Sequence, residues 1–492
     1  MPQDKQRAGI GVAASTGPTK RGMANQKGHH MISRRRFMQA AGAVAASPFL
    51  PRMSLAGTGE FLELTARPGA APLLGEGSPE VPIWGYDGAV PGPIIRGRKG
   101  GTIRVRFRNE LDQPTSIHWH GIRIENSMDG VAGLTQPAVE PGDTFDYVFA
   151  VPDAGTFWYH AHNRSWEQVE RGLYGALIVD EAEPAFAPAQ DVTLVLDDWR
   201  VSPSGRIDEG FGDMGDWSHG GRLGNWLTIN GATRPDIPLA AGRTSRVRLI
   251  NAANARILEL DLESLGATVV AYDGQPLAAP EKPAYNPFLL GPGQRMDLLV
   301  TPEASGTLAL IEMSGEPFAF GQFVVTPADD QEAEAPAALL PNLLPEPDLA
   351  NAVEFDLDMA GGMMGRMTGA IVDGRYLEGE ELFASRQVWA FNGVAGLSPQ
   401  PFFGVERGTS IILNVTNDTA FPHAMHVHGH HFRIVARSDS EIDHRPWRDT
   451  FLIGPTQTTR IAFVADNPGK WLFHCHMLEH QAAGMKTWFE VT

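Results

Sequence analysis

Three short segments spread along the chain constrain its fold more than anything else in the sequence. Ile103-Arg-Val-Arg-Phe-Arg108, Val247-Arg-Leu-Ile250 and Ser410-Ile-Ile-Leu-Asn-Val-Thr416 have the apolar–polar alternation of half-buried strands. Each follows a Gly-containing turn (Lys99-Gly100-Gly101, Ala241-Gly242-Arg243, Arg407-Gly408-Thr409), and each runs into an asparagine: Asn109, Asn251 or Asn417. This is one β-unit in three copies. Long helical periodicity is scarce, and 54 Gly and 37 Pro are scattered without a period, which suits many turns. The pattern predicts an all-β chain of three antiparallel sandwich or barrel domains.

Two stretches read as linkers. Asp180–Ala189 is rich in Glu, Ala and Pro, and Ala328–Ala350 is acidic, Ala-rich and Pro-rich. The expected domains are therefore 57–182, 190–335 and 350–492. Residues 1–56 are different. They hold nine Lys/Arg and one acid, net +8, so that residues 57–492 carry −26 of the overall −18. Ser33-Arg34-Arg35-Arg36-Phe37-Met38 precedes a short, weakly apolar stretch and the small residues Ser54-Leu55-Ala56. This reads as a twin-arginine export signal cleaved near Gly57, with the mature protein periplasmic or secreted and the translocase as its partner. Residues 1–30 precede Met31 and read as a start-site artefact. No apolar run reaches the length of a membrane span, so no stable anchor is expected after processing. The acidic mature chain excludes a nucleic-acid binder, because a phosphate backbone repels it.

Chemistry is concentrated in four histidine clusters: His118-Trp-His120, His160-Ala-His162, His423-Ala-Met-His426-Val-His428, and His474-Cys475-His476-Met-Leu-Glu-His480 with Met485. They hold ten of the 16 histidines. On a strand, residues two apart face one side, so each His-x-His projects two imidazoles together. Four such pairs provide ligands for several metals. His474 and His476 face one side of their strand and Cys475 the other. Cys475 is the only cysteine, so no disulfide forms within the chain, and with His423, His480 and Met485 it makes the donor set of a blue-copper electron-transfer site. One strand then touches two metal sites. Zinc is the alternative metal, although tetrahedral zinc sites use fewer imidazoles.

These motifs resemble the three-domain multicopper oxidases of the laccase and bacterial cuprous-oxidase kind. The resemblance spans roughly residues 57–492 and includes Ile229-Asn230-Gly231 and Gly291-Pro292-Gly293-Gln294-Arg295 in the ligand-free middle domain. It implies three cupredoxin-like Greek-key β-barrel domains and four copper ions. By the resemblance, His423, Cys475, His480 and Met485 would hold type 1 copper. His118 and His426 would hold type 2 copper. His120, His160 and His476 would hold one type 3 copper, and His162, His428 and His474 the other. The implied activity is one-electron oxidation of a small reductant coupled to four-electron reduction of O₂ to water, with Cys475 leading from the first site to the second. Asp129 matches a family acid that relays protons, while Asp129-Gly130 equally reads as a turn. Gln481 stands where many relatives have Glu, which puts a second relay in doubt.

The reductant is either a phenol or aromatic amine, as for a laccase, or Cu(I). Met359, Met363, Met364 and Met367 are soft donors suited to Cu(I), or they belong to a Gly/Met loop over a pocket. Thr419 and Phe421 stand where a cuprous oxidase has Asp and Met, which favours the laccase reading. His219, His430, His431 and His444 match no ligand position; surface roles or contacts behind the ligands are expected for the three in domain three. Two non-enzyme readings compete with an oxidase. A copper-free cell-division relative is opposed by the complete ligand set, and a copper carrier is supported only by the methionines.

Overall fold

The computed structural model describes residues 53–55, 59–327, 339–440 and 446–492. The basic region at 33–38, residues 328–338 of the acidic linker, and His444 lie outside the described residues. No helix among the described residues is long and apolar enough to cross a membrane.

The three repeated segments are strands Gly101–Asn109, Ser245–Asn251 and Ser410–Asn417. Each has the same neighbours: a preceding strand in parallel (Leu62–Ala66, Asp191–Leu196 and Val353–Met359) and a following strand in antiparallel register. The terminal asparagine does the same work three times. Its Oδ1 accepts the backbone N–H two residues on, at Leu111, Ala253 and Thr419. Its Nδ2 donates to carbonyls of loops farther along: Val139 for Asn109, Leu290 for Asn251 and Gly454 for Asn417. A fully buried amide with its bonds made closes the same corner of each barrel.

Around these units stand three cupredoxin-like domains, each of two sheets. The first has five and four strands, the second six and five, the third nine and five. The alternation holds in Gly101–Asn109, but Ser245–Asn251 is buried on both faces. There Arg246 pairs with Asp297 at 2.6 Å, and Arg248 reaches Asp191 at 2.5 Å and the Thr156 hydroxyl of the first domain at 2.9 Å. The polar face meets another domain, not water. One continuous core runs through the first and third domains, from Trp119, Phe149 and Tyr159 to Phe451, Trp471 and Phe489; the middle domain has its own, and a smaller core joins it to the first through Trp158, Tyr174, Trp199 and Ile250. The first and third domains are thus joined where their histidine strands meet. Met53–Leu55 pairs in parallel with Ile94–Arg96, so a mature chain starting at Gly57 would lack this edge strand.

Candidate metal centres

His118 and His120 lie on strand Ile117–His120, which pairs antiparallel with Gly155–Ala161 so that His118 faces His160. His426 pairs with His474, and Met425 with Cys475, between strands His423–Val427 and Gly469–Cys475. The four strands bring His118, His120, His160, His162, His426, His428, His474 and His476 into one buried cluster. His120 stacks on His426 with centroids 3.7 Å apart, and His118 on His428 at 3.9 Å. Both stacks pair a first-domain ring with a third-domain ring.

Most of these imidazoles are hydrogen-bonded on one nitrogen only. His118 donates Nδ1–H to the Asp129 carbonyl (2.8 Å), His160 to that of Ala161 (3.1 Å), His426 to that of Asp449 (2.9 Å) and His474 to that of Cys475 (2.9 Å). His428 donates Nδ1–H to the Asp129 carboxylate at 3.0 Å. The opposite nitrogens point inward. Nε2 of His118, His160, His162 and His426, Nδ1 of His120 and both nitrogens of His476 are buried without a partner, and Nε2 of His428 lies 3.0 Å from Nε2 of His474. A buried polar atom left unpaired costs about 1–3 kcal/mol, so such a concentration marks atoms meant for a ligand. Burial, reinforced by the neighbouring rings, pushes the pKa of His120, His160, His162, His426, His428 and His476 well below the usual imidazole value. Neutral imidazoles are the form that binds a metal.

Cys475 points away from this cluster. Its Sγ lies 3.6 Å from His423 Nδ1 and 3.8 Å from His480 Nδ1, and those two nitrogens are 3.0 Å apart. The buried Met485 accepts the Cys475 N–H through its carbonyl at 3.0 Å. The outer nitrogens are both engaged: His423 Nε2 with the Thr419 hydroxyl at 2.8 Å, and His480 Nε2 with the His219 carbonyl at 2.7 Å. Trp389 packs on His480 at 4.4 Å. Burial pushes the Cys475 thiol up to about 12, so the thiolate needs a cation to form. The sulfur–imidazole set and the unpaired inward nitrogens both fit copper.

Asp129 sits in a turn and also lies against the imidazole cluster. Gly130, at φ +83°, passes so close to Ile117 that a Cβ would lie 1.7 Å from its carbonyl oxygen, and this turn aims the Asp129 carboxylate at His428. Gln481 accepts a hydrogen bond from the Ser165 hydroxyl at 3.0 Å. His430 and His431 are buried rather than on the surface. His430 packs among Phe463, Trp471 and Phe489, and His431 lies 3.5 Å from Asp449. Met359 belongs to the core, while Met363 and Met364 are exposed. Sequence reasoning missed Asp449 and the His219 carbonyl: Asp449 lies in no histidine motif, and a backbone carbonyl leaves no side-chain signal.

Three multicopper oxidase family models match residues 71–184, 190–315 and 377–492. The multicopper oxidase MmcO of Mycobacterium tuberculosis is 31% identical over 467 residues, covering 86% of this chain and 85% of that protein. Laccase-1 of Fomitopsis schrenkii is 30% identical over 450 residues, covering 81% and 80%. The crystal structure of a multicopper oxidase from Pseudomonas thermotolerans superimposes with a TM-score of 0.77 at 33% identity, covering 89% of this chain and all of that one. With both donor sets in place and each domain matched, the chain belongs to the multicopper oxidase family.

Proposed function

We propose that this oxidase acts on phenols and aromatic amines in the manner of a laccase, after export by the twin-arginine route to the periplasm or beyond. Four coppers bound at the two centres would supply one-electron acceptance beside Cys475 and four-electron reduction of O₂ to water among the eight imidazoles. His423, Cys475, His480 and Met485 would hold the first, His118 and His426 the second, His120, His160 and His476 the third, and His162, His428 and His474 the fourth. Cys475 lies between His474 and His476 in the chain, so a single strand joins both sets. Asp129 holds the His428 ring by its carboxylate and is the nearest acid able to pass a proton toward the cluster.

The observation that carries the substrate reading is the cavity beside the Cys475 site. It has a volume of about 420 Å³ and is lined by Met363, Met367, Leu382, Phe383, Val388 and Ser218, with backbone glycines and no charged side chain. Its floor, Gly362, lies against the Trp389 ring that packs on His480. An apolar, uncharged pocket favours a neutral aromatic ring. Cu(I) is the second reading, supported by the exposed Met363 and Met364. The neutral Thr419 beside His423, in place of a carboxylate, weakens it.

O₂ uptake by the copper-loaded protein with dimethoxyphenol and with Cu(I) separates the two, using a variant with Met363, Met364 and Met367 changed to Ser. Met359 is left in place because it is core. Phenol turnover that dominates in the unsubstituted protein, with the variant raising the phenol KM because Met363 and Met367 line the cavity, supports the laccase reading. Fast Cu(I) oxidation lost selectively in the variant overturns it.

A further inference from the structure

The middle domain supplies none of the assigned ligands, yet its turn Gly291–Arg295 enters the imidazole cluster. Gly293, at φ +80°, passes so near the rings that a Cβ would lie 3.0 Å from His476 and 3.1 Å from His120. Gln294 donates to the Thr450 carbonyl at 3.0 Å. Arg295, fully buried, makes a two-pronged pair with Asp449, 2.8 Å to Oδ1 and 2.5 Å to Oδ2. It also donates to the carbonyls of Gly293 and Thr156.

Asp449 in turn touches two rings of the cluster, from different domains, and His431 outside it at 3.5 Å. Its Oδ1 lies 3.3 Å from His120 Nε2, and its backbone carbonyl accepts His426 Nδ1–H at 2.9 Å. The Thr450 hydroxyl lies 3.3 Å from His120 Nε2 and 3.1 Å from His426 Nδ1, and donates to Asp449 Oδ1 at 2.8 Å. Because Nε2 of His120 is thereby the protonated nitrogen, its unpaired Nδ1 is the one aimed inward. Of the rings whose inward nitrogen is set by a hydrogen bond, His120 alone presents Nδ1. A hydrogen bond on the far nitrogen fixes both the tautomer and the ring orientation of a metal-binding histidine.

We propose that Arg295 and Asp449 form a positioning pair through which the middle domain sets the tautomer of His120 and its alignment with His426. Arg295 neutralises the buried carboxylate and locks its plane by a fork that only a guanidinium can make. Asp449, so held, keeps the proton on His120 Nε2. The middle domain is therefore part of the oxygen-side site without contributing a ligand. This rests on reading the eight-imidazole cluster as a copper site, and the copper content of the unsubstituted protein tests that reading separately.

The test uses Asp449→Asn, Arg295→Lys, and the double variant Arg295→Met with Asp449→Asn. Arg295→Met alone strands a buried carboxylate and is a poor probe. In metal-free protein with ¹⁵N-labelled histidine, the unsubstituted chain should show His120 protonated at Nε2 and His426 at Nδ1. Asp449→Asn should give His120 mixed tautomers and leave His426, which is bonded to a backbone carbonyl, unchanged. In copper-loaded protein, both Asn variants should alter the paramagnetic resonance of the imidazole-bound copper and lower turnover roughly 10–100-fold. The visible thiolate–copper band should be retained. Arg295→Lys should fall between these variants and the unsubstituted protein. The proposal is overturned if His120 keeps a single Nε2 tautomer in Asp449→Asn. It is equally overturned if the thiolate band and the cluster copper are lost together, which would mark a general structural role.

Discussion

The Cys475 site and the eight-imidazole cluster share one stretch of chain, yet they are built by opposite means. His423, Cys475, His480 and Met485 all come from the third domain. Among the described residues, only the cap on His480, the His219 carbonyl, is contributed by another. The imidazole cluster is divided between two domains, with a third reaching in through Arg295; carboxylates stand behind two of its rings, Asp129 behind His428 and Asp449 behind His120, and peptide carbonyls behind four others. Neutral partners, a hydroxyl and a peptide carbonyl, stand behind the rings of the Cys475 site. A site made within one domain should tolerate damage at the domain interfaces. A site divided across domains should not, and at His428 and His120 it adds charged contacts to hold rings that no common backbone fixes.

The sharpest way to separate the two is to remove the sulfur. Cys475→Ser should abolish the visible thiolate–copper band and O₂ uptake with every donor, while the fold and the copper held by the eight imidazoles remain. Absorption, metal content and oxygen consumption on one preparation check this. Unchanged oxygen consumption would refute the two-site reading.

The converse probe is Asp129→Asn, which keeps the shape of the turn but removes the charge behind His428. Turnover should fall roughly 10–100-fold, with the thiolate band intact. If the band were lost as well, the two sites would not be independent in the way their construction implies.

The part of this arrangement that can be read from sequence is the part carried by local periodicity. The three strands ending in Asn109, Asn251 and Asn417 declare themselves through alternation and their closing turns. The His-x-His pairs follow from the two-residue repeat of a strand, which also sends Cys475 to the face opposite His474. What local pattern cannot convey is what covers a polar face. Arg248 reads as the polar, water-facing position of a half-buried strand because a strand pattern specifies polarity and not its partner; it is buried against Asp191 and the first domain. Arg295 and Asp449 are 154 residues apart, and His219 is 261 residues from the histidine it caps. The methionine cluster is one group in sequence but divides in space, because Met359 is inside a strand and Met363 is past its end.

Acid should discriminate between the metal-free and metal-loaded protein. In the unfolded chain imidazoles take up protons near 6.5, whereas burial holds His480 at about 4 and His474 at about 3. Between those values the unfolded state binds more protons, so stability falls as pH falls below about 6.5. For His480 alone the loss by pH 5 is about 2 kcal/mol, since one unit is worth about 1.4 kcal/mol. Urea midpoints of metal-free protein should therefore drop between pH 7.5 and pH 5. Copper-loaded protein should drop less, because the bound ion competes with the proton until it is released. Equal midpoints at the two pH values in metal-free protein would mean that the rings are not held neutral.

The smallest effect expected is at Thr419. Its hydroxyl meets His423 Nε2 at 2.8 Å, donates to the Phe421 carbonyl at 3.1 Å and accepts the Phe421 N–H at 3.2 Å, so one oxygen fixes both the ring and the turn before it. Thr419→Val keeps the volume and β-branching and removes those bonds. The buried Nε2–H would be left without its acceptor, at a cost of about 1–3 kcal/mol. The backbone of strand His423–Val427 and the Asn417 amide bonds would still hold the ring near Cys475. Copper should therefore remain bound and the thiolate band should persist, with a modest loss of thermal stability and a shift in reduction potential. A loss of copper from Cys475 in this variant would show that the single-domain site depends on its outer contacts as heavily as the divided cluster does, and the contrast between the two centres would then lie in the charge of those contacts alone.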